Sequence, residues 1–258
     1  MDFNYGGVNV YYEQHGQQGE NLLLLHGWGG KCDSWLPVIR DFQAEMRLTV
    51  LDFPGHGNSD EPSEPWSVTE YMQMTLALLD HLGLERTHIM AHSFGARVAI
   101  LLASTHPERV GKMVLTGAAG IRPRPTAKKS MKSRVYGALK HGADNALTRT
   151  LFGEKVDAWR HELGTLFGSE DYKKLSDGMR ATFNRVILQD LEPCLEKIQA
   201  STLLFWGKED TATPLWMGEI MEKKIPDAGL VAYDGVGHFA YLDKYPEFRA
   251  VSRKFLLG

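Results

Sequence analysis

The chain has 258 residues, 43% of them hydrophobic and 24% charged, with a formal net charge of −3. That length and apolar content suit one large α/β domain, or one domain carrying an insertion, rather than two independent halves. A charge this near neutrality gives no global case for nucleic-acid or membrane binding. The two cysteines, Cys32 and Cys194, are far apart and lack metal-ligand spacing, so neither a zinc site nor a disulfide framework is expected. The opening Met1-Asp2-Phe3-Asn4-Tyr5 lacks the basic-then-apolar pattern of a signal peptide. No apolar run approaches the roughly 20 residues that span a bilayer. The expectation is a soluble, cytoplasmic protein.

Residues 1–16 alternate apolar and polar around Gly6-Gly7, which predicts an antiparallel hairpin at a sheet edge. Leu22-Leu23-Leu24-Leu25 is unbroken apolar, as in a strand covered on both faces, and runs into the loop His26-Gly27-Trp28-Gly29-Gly30. Asp33-Ser34-Trp35 opens a short helix. The next strand, residues 47–51, ends in Asp52-Phe53-Pro54-Gly55-His56-Gly57-Asn58-Ser59. Ser67 and Glu70 have capping-box spacing ahead of a helix that Gly83 closes. A strand then leads to Ser93 and directly into an apolar helix ended by Pro107. Met113-Val114-Leu115 makes a further buried strand, closing on Gly117-Ala118-Ala119-Gly120.

From Ile121 to Pro193 the patterns are helical only. Strands resume at 202–206 and 230–233, with helices at 214–225 and 246–256. This alternation predicts an α/β fold: a mostly parallel, twisted sheet of about eight strands with helices on both faces. Residues 1–120 and 194–258 form its core domain, and 121–193 an inserted, all-helical cap over the carboxyl edge of the sheet, where ligands bind in such folds.

Ser93 sits where a strand turns sharply into a helix, flanked by Ala91, Gly95 and Ala96. Small neighbours are needed where strand and helix backbones nearly touch, and the helix N-terminus directs free N–H groups at any oxyanion formed there. By itself the pattern also describes an N-cap serine. The wider context decides. His26-Gly27-Trp28-Gly29-Gly30, Asp52 to Ser59, Ala91-His92-Ser93-Phe94-Gly95 and Gly237-His238-Phe239 together resemble the α/β-hydrolase family over essentially the whole chain, with Ala91 where glycine is commoner.

That resemblance implies nucleophilic acyl transfer by a Ser-His-Asp triad: Ser93 attacks, His238 moves its proton and Asp210 orients His238. Glycine-x-x-aspartate spacing after the strand favours Asp210 over Glu209 and Asp234. By family position the oxyanion donors are the backbone N–H groups of Trp28 and Phe94. His26 and His56 are expected to brace their own loops, and His92 to wall the elbow. A serine at this place excludes the dehalogenases and epoxide hydrolases of the fold, which use aspartate. It implies a cofactor-free, metal-free hydrolase of a small ester or related acyl compound. Lyases or C–C bond hydrolases acting on carboxylated metabolites are the alternative, and a ligand receptor built on a slow hydrolase is another.

Two features leave their use open. Arg97, one helical turn beyond Ser93, suits either a structural ion pair or a receptor for a substrate carboxylate. Eight lysines and arginines between Arg122 and Arg149 face one acid, Asp144. They suit a solvated helix surface, or attraction of an anionic substrate or an acidic carrier protein. Candidate pocket walls are Trp28, Phe94, Phe239 and the cap aromatics Trp159, Phe167 and Phe183.

Overall fold

The computed structural model describes residues 1–122 and 175–258. Eight strands form one sheet: β1 (Asp2–Tyr5), β2 (Val8–His15), β3 (Asn21–Leu25), β4 (Arg47–Leu51), β5 (Thr87–His92), β6 (Val110–Thr116), β7 (Thr202–Gly207) and β8 (Ala228–Tyr233). Their order is β1-β2-β4-β3-β5-β6-β7-β8. The β1–β2 and β2–β4 pairs are antiparallel, and every pair from β4 to β8 is parallel. The described helices are α1 (Leu36–Phe42), α2 (Val68–His81), α3 (Phe94–Thr105), α4 (Asp177–Leu188), α5 (Leu215–Lys224), α6 (Ala240–Asp243) and α7 (Tyr245–Leu257). The eight-stranded, mostly parallel sheet predicted from the sequence is therefore present.

The leucine run shows why this sheet needs helices on both sides. Successive side chains of a strand point to opposite faces. Leu23 and Leu25 join Tyr71, Leu78, Ile100 and Met221, from α2, α3 and α5, in one buried cluster. Leu22 and Leu24 join Trp35, Phe42, Phe248 and Leu256, from the α1 and α7 side, in another. Met90, Val114 and Phe205 continue the second cluster, while Ile89, Leu115 and Leu204 continue the first. A fully apolar strand is thus explained by two cores sharing one sheet.

The local signals act as the sequence implies. Ser67 Oγ accepts from Thr69 N–H at 3.2 Å while Glu70 accepts from Ser67 N–H at 2.7 Å, closing the capping box of α2. Gly83 ends the helix with φ +65°, and Leu84 N–H returns to the Leu79 carbonyl at 2.9 Å.

The chain divides into two compact units, Met1–Arg122 with Ala181–Gly258, and Pro123–Arg180. The return to the core thus falls at 181, where the sequence reading placed it at 194. Residues 182–189 belong to the core because they bond its backbone. Thr182 Oγ1 accepts from Trp66 N–H at 3.1 Å and Gln189 Oε1 from Val68 N–H at 3.0 Å. The basic run from Arg124 to Arg149, Trp159 and Phe167 lie outside the described residues, as does most of the expected cap. Among the described residues no helix is long and apolar enough to cross a membrane.

Phe205 is fully buried between Tyr233 and Phe248. Phe205→Ala should lower stability by about 3–5 kcal/mol, read as the shift of the urea midpoint at an unchanged m-value.

Candidate active site

The site begins with backbone geometry. Ser93 has φ 49° and ψ −106°, and it is the one non-glycine residue with positive φ among the described residues. Such a turn exists only if nothing crowds it. A Cβ on Gly95 would run into the Leu25 carbonyl and come within 2.7 Å of the His26 carbonyl oxygen. On Gly27 it would lie 2.9 Å from the His92 ring. Ser93 N–H donates to the Thr116 carbonyl at 3.1 Å and its own carbonyl accepts from Ala119 N–H at 3.1 Å, tying the turn to the end of β6.

The turn carries the serine hydroxyl to a histidine 145 positions away. Ser93 Oγ lies 3.0 Å from His238 Nε2, and His238 Nδ1 lies 2.7 Å from Asp210 Oδ2. Asp210 Oδ1 accepts from the N–H groups of Ala212 at 2.8 Å and Thr213 at 2.9 Å. Burial pushes the Asp210 carboxyl up, but the hydrogen bonds from His238 and the Thr213 backbone outweigh it and hold the group below its ordinary value. Its negative charge, facing Nδ1, requires a proton there and leaves Nε2 as the acceptor for the serine.

The rival acids are occupied elsewhere. Glu209 accepts from Val236 N–H at 2.8 Å, and Asp234 pairs with Lys208 at 2.9 Å. Thr213 is a neighbour that the sequence reading did not single out. Its hydroxyl lies 2.8 Å from Asp210 Oδ2, 3.0 Å from the Gly117 carbonyl and 3.3 Å from His238 Nδ1. The Thr213 carbonyl accepts from the buried Trp206 indole at 2.7 Å, which fixes this turn to β7. A hydroxyl three residues beyond the acid was the available signal.

Around Ser93, the Trp28 and Phe94 N–H groups donate to no backbone carbonyl among the described residues. The Trp28 ring packs edge-on against His56, Phe94 and Phe183 at centroid distances of 4.8, 5.2 and 5.1 Å. Phe94 is buried, whereas Phe239 is 51% exposed and stands 5.4 Å from the His238 ring. Arg97 is buried on α3, with Nη1 donating to the Gln189 carbonyl at 2.9 Å. Burial pulls its guanidinium down to about 10, opposed by the Asp190 carboxylate.

The loops beneath are braced by histidines and one aspartate. His26 Nδ1 donates to the Gly27 carbonyl at 2.7 Å while Nε2 accepts from Phe53 N–H at 2.9 Å. Asp52 Oδ1 accepts from Cys32 N–H at 2.6 Å and Oδ2 from Asn58 N–H at 2.8 Å. His56 Nδ1 donates to the Pro54 carbonyl at 3.1 Å. His92 Nδ1 donates to the Thr116 carbonyl at 3.0 Å, and its ring lies 4.7 Å from that of His238. Among the described residues no cluster of three or more His, Cys, Asp or Glu could hold a metal ion.

Residues 20–245 match the family model described as alpha/beta hydrolase fold. The chain belongs to the α/β-hydrolase fold family. Among its relatives in this family, a 2-hydroxy-6-oxononadienedioate/2-hydroxy-6-oxononatrienedioate hydrolase of Pseudomonas putida is 29% identical over 276 residues, covering 96% of this chain and 92% of that one. The dihydrolipoyllysine-residue acetyltransferase component of an acetoin cleaving system, also from P. putida, is 37% identical over 243 residues, covering 92% of this chain and 64% of that one. Among solved structures, the enol-lactonase from Burkholderia xenovorans LB400 matches the α/β-hydrolase fold with a TM-score of 0.76, 21% identity and full coverage of both chains.

Burial pushes His26 and His92 down to about 3, with the His238 ring adding to the effect at His92. Both stay neutral where an unfolded histidine titrates near pH 6.5, so below that value the unfolded chain binds protons the native chain refuses. Native stability should therefore fall on acidification, by about 1 kcal/mol per histidine between pH 7 and 5.5. Urea unfolding across this range checks it, and His26→Gln should make the pH slope shallower by about one proton.

Proposed function

We propose that this α/β hydrolase is a serine esterase acting on a small ester through an acyl-enzyme. The observation that carries the reading is the continuous hydrogen-bonded run from Ser93 Oγ through His238 to the buried Asp210. A serine hydroxyl at its free pKa is a poor nucleophile. In attack, His238 Nε2 takes the Ser93 proton as the oxygen bonds the substrate carbonyl carbon. The Asp210 carboxylate stabilises the resulting imidazolium, and the tetrahedral oxyanion is received by the Trp28 and Phe94 N–H groups. His238 then protonates the departing alcohol. Water, deprotonated by His238, releases the acid and restores Ser93.

A second reading is favoured by the relatives. The P. putida hydrolase named above and a 2-hydroxy-6-oxo-6-phenylhexa-2,4-dienoate hydrolase of Comamonas testosteroni, 27% identical over 96% of this chain, are named for keto acids that contain no ester, so that their hydrolysis must break a C–C bond. The same three side chains serve that reaction if the leaving group is a carbon that His238 protonates. Arg97 is a poor receptor for a substrate carboxylate in either case, since its guanidinium is buried against Gln189. We infer that it is structural.

Steady-state hydrolysis of p-nitrophenyl esters from acetate to octanoate is the first test. Wild type should turn over repeatedly, and Ser93→Ala should lose at least about 10³-fold in kcat. Asp210→Asn should cost about 10⁴-fold. Thr213→Val should cost about 10-fold or more, through one hydrogen bond to a charged group. If the esters are inert and 2-hydroxy-6-oxononadienedioate is cleaved, the C–C reading replaces the first. A folded protein inert to both would sink the proposal.

A further inference from the structure

Ser93 stands where strands end. At the opposite edge, where the parallel strands begin, lies an open groove of about 570 Å³ lined by Glu20, Arg47, Arg86, His88, Lys112 and Gln199, among others. His88 precedes Ser93 by five residues on the same stretch, roughly 16 Å along an extended chain. The groove is thus separate from the triad.

Its charge is lopsided: three cations surround one carboxylate. Glu20 is already engaged, with Oε2 accepting from His88 Nε2 at 2.6 Å. Lys112 N–H donates to His88 Nδ1 at 2.7 Å, which makes Nδ1 the acceptor and Nε2 the donor toward Glu20. Arg47 Nε donates to the Gly19 carbonyl at 3.0 Å and Arg86 Nε to the Val110 carbonyl at 3.3 Å. A guanidinium pinned at Nε is oriented while its two terminal nitrogens stay available as a fork, the geometry that matches phosphate or carboxylate oxygens. Lys112 lines the same groove, its Nζ donating to the Phe255 carbonyl at 2.8 Å and the Leu256 carbonyl at 3.4 Å. Two oriented forks and an ammonium, with one carboxylate among them, make a site with an unbalanced positive charge.

We infer that this groove binds a small, multiply charged oxyanion of the phosphate or polycarboxylate class, held chiefly by Arg47 and Arg86. The test is isothermal titration of the whole protein with inorganic pyrophosphate and, separately, citrate, at an ionic strength held constant with potassium chloride. Saturable one-to-one binding of either is expected, weakened by at least about tenfold in Arg47→Gln/Arg86→Gln. A response to pyrophosphate alone assigns the phosphate class, and a response to citrate, alone or with pyrophosphate, the broader oxyanion class. Glu20→Gln removes the opposing charge yet keeps an acceptor for His88. It should tighten binding by about threefold, a gain that damage to the fold does not produce. Turnover of p-nitrophenyl esters should stay at the wild-type level in both variants. No saturable binding up to about 10 mM, equal affinity in the double variant, or weaker binding in Glu20→Gln overturns the inference. The cations would then serve only to hold backbone carbonyls.

Discussion

A serine at φ 49° occupies backbone space that side chains avoid, at a cost on the order of 1–3 kcal/mol. The surroundings of Ser93 are arranged to hold it there. Its N–H and carbonyl are both bonded to the segment that ends β6, and Gly27 and Gly95 leave no atom where β3 and α3 approach. Relaxing the turn would break those bonds and turn the hydroxyl away from His238. Local strain is therefore sustained by the central strands, which are covered by buried clusters on both faces.

From that constraint the rest of the site follows by topology. Parallel strands place every strand-to-helix loop at one edge. The loops after β3, β5, β7 and β8 then bring Trp28, Ser93, Asp210 and His238 together without any one of them being near another in sequence. Glycine recurs where these loops press against one another. A Cβ on Gly117 would come within 3.1 Å of His238 Nδ1, and one on Gly207 would collide with the Gly237 carbonyl. The close approach that aligns Ser93, His238 and Asp210 depends on these missing side chains.

Much of this was legible in the chain. Four consecutive leucines announce a strand covered on both faces, the small residues around Ser93 fit a sharp strand-to-helix turn once the other motifs are read with them, and Asp210 follows Gly207 at glycine-x-x-aspartate spacing. What was not legible concerns partners rather than elements. Helical periodicity is the same whichever body a helix packs on, so nothing in residues 181–193 revealed that Thr182 and Gln189 bond the backbone at the N-terminal end of α2. Arg97 left two uses open because its acceptor is a main-chain carbonyl, which carries no sequence signature. Thr213 was passed over for a similar reason. One threonine in a polar turn looks like any other until Asp210 and Gly117 are seen around it.

The 145-residue separation between Ser93 and His238 also bears on how the protein comes into being. The residues of the elbow are neighbours in sequence, in β5 and α3, and its turn is tied to the end of β6. His238 reaches it by way of β7 and β8, which complete that edge of the sheet, and the segment leading into α7, which packs on the far face. Long-range closures of this kind come late and slowly in folding. Without the β7–β8 edge Ser93 would have no histidine partner. Completion of that edge is what brings His238 to Ser93, which makes their hydrogen bond a report on assembly of the sheet.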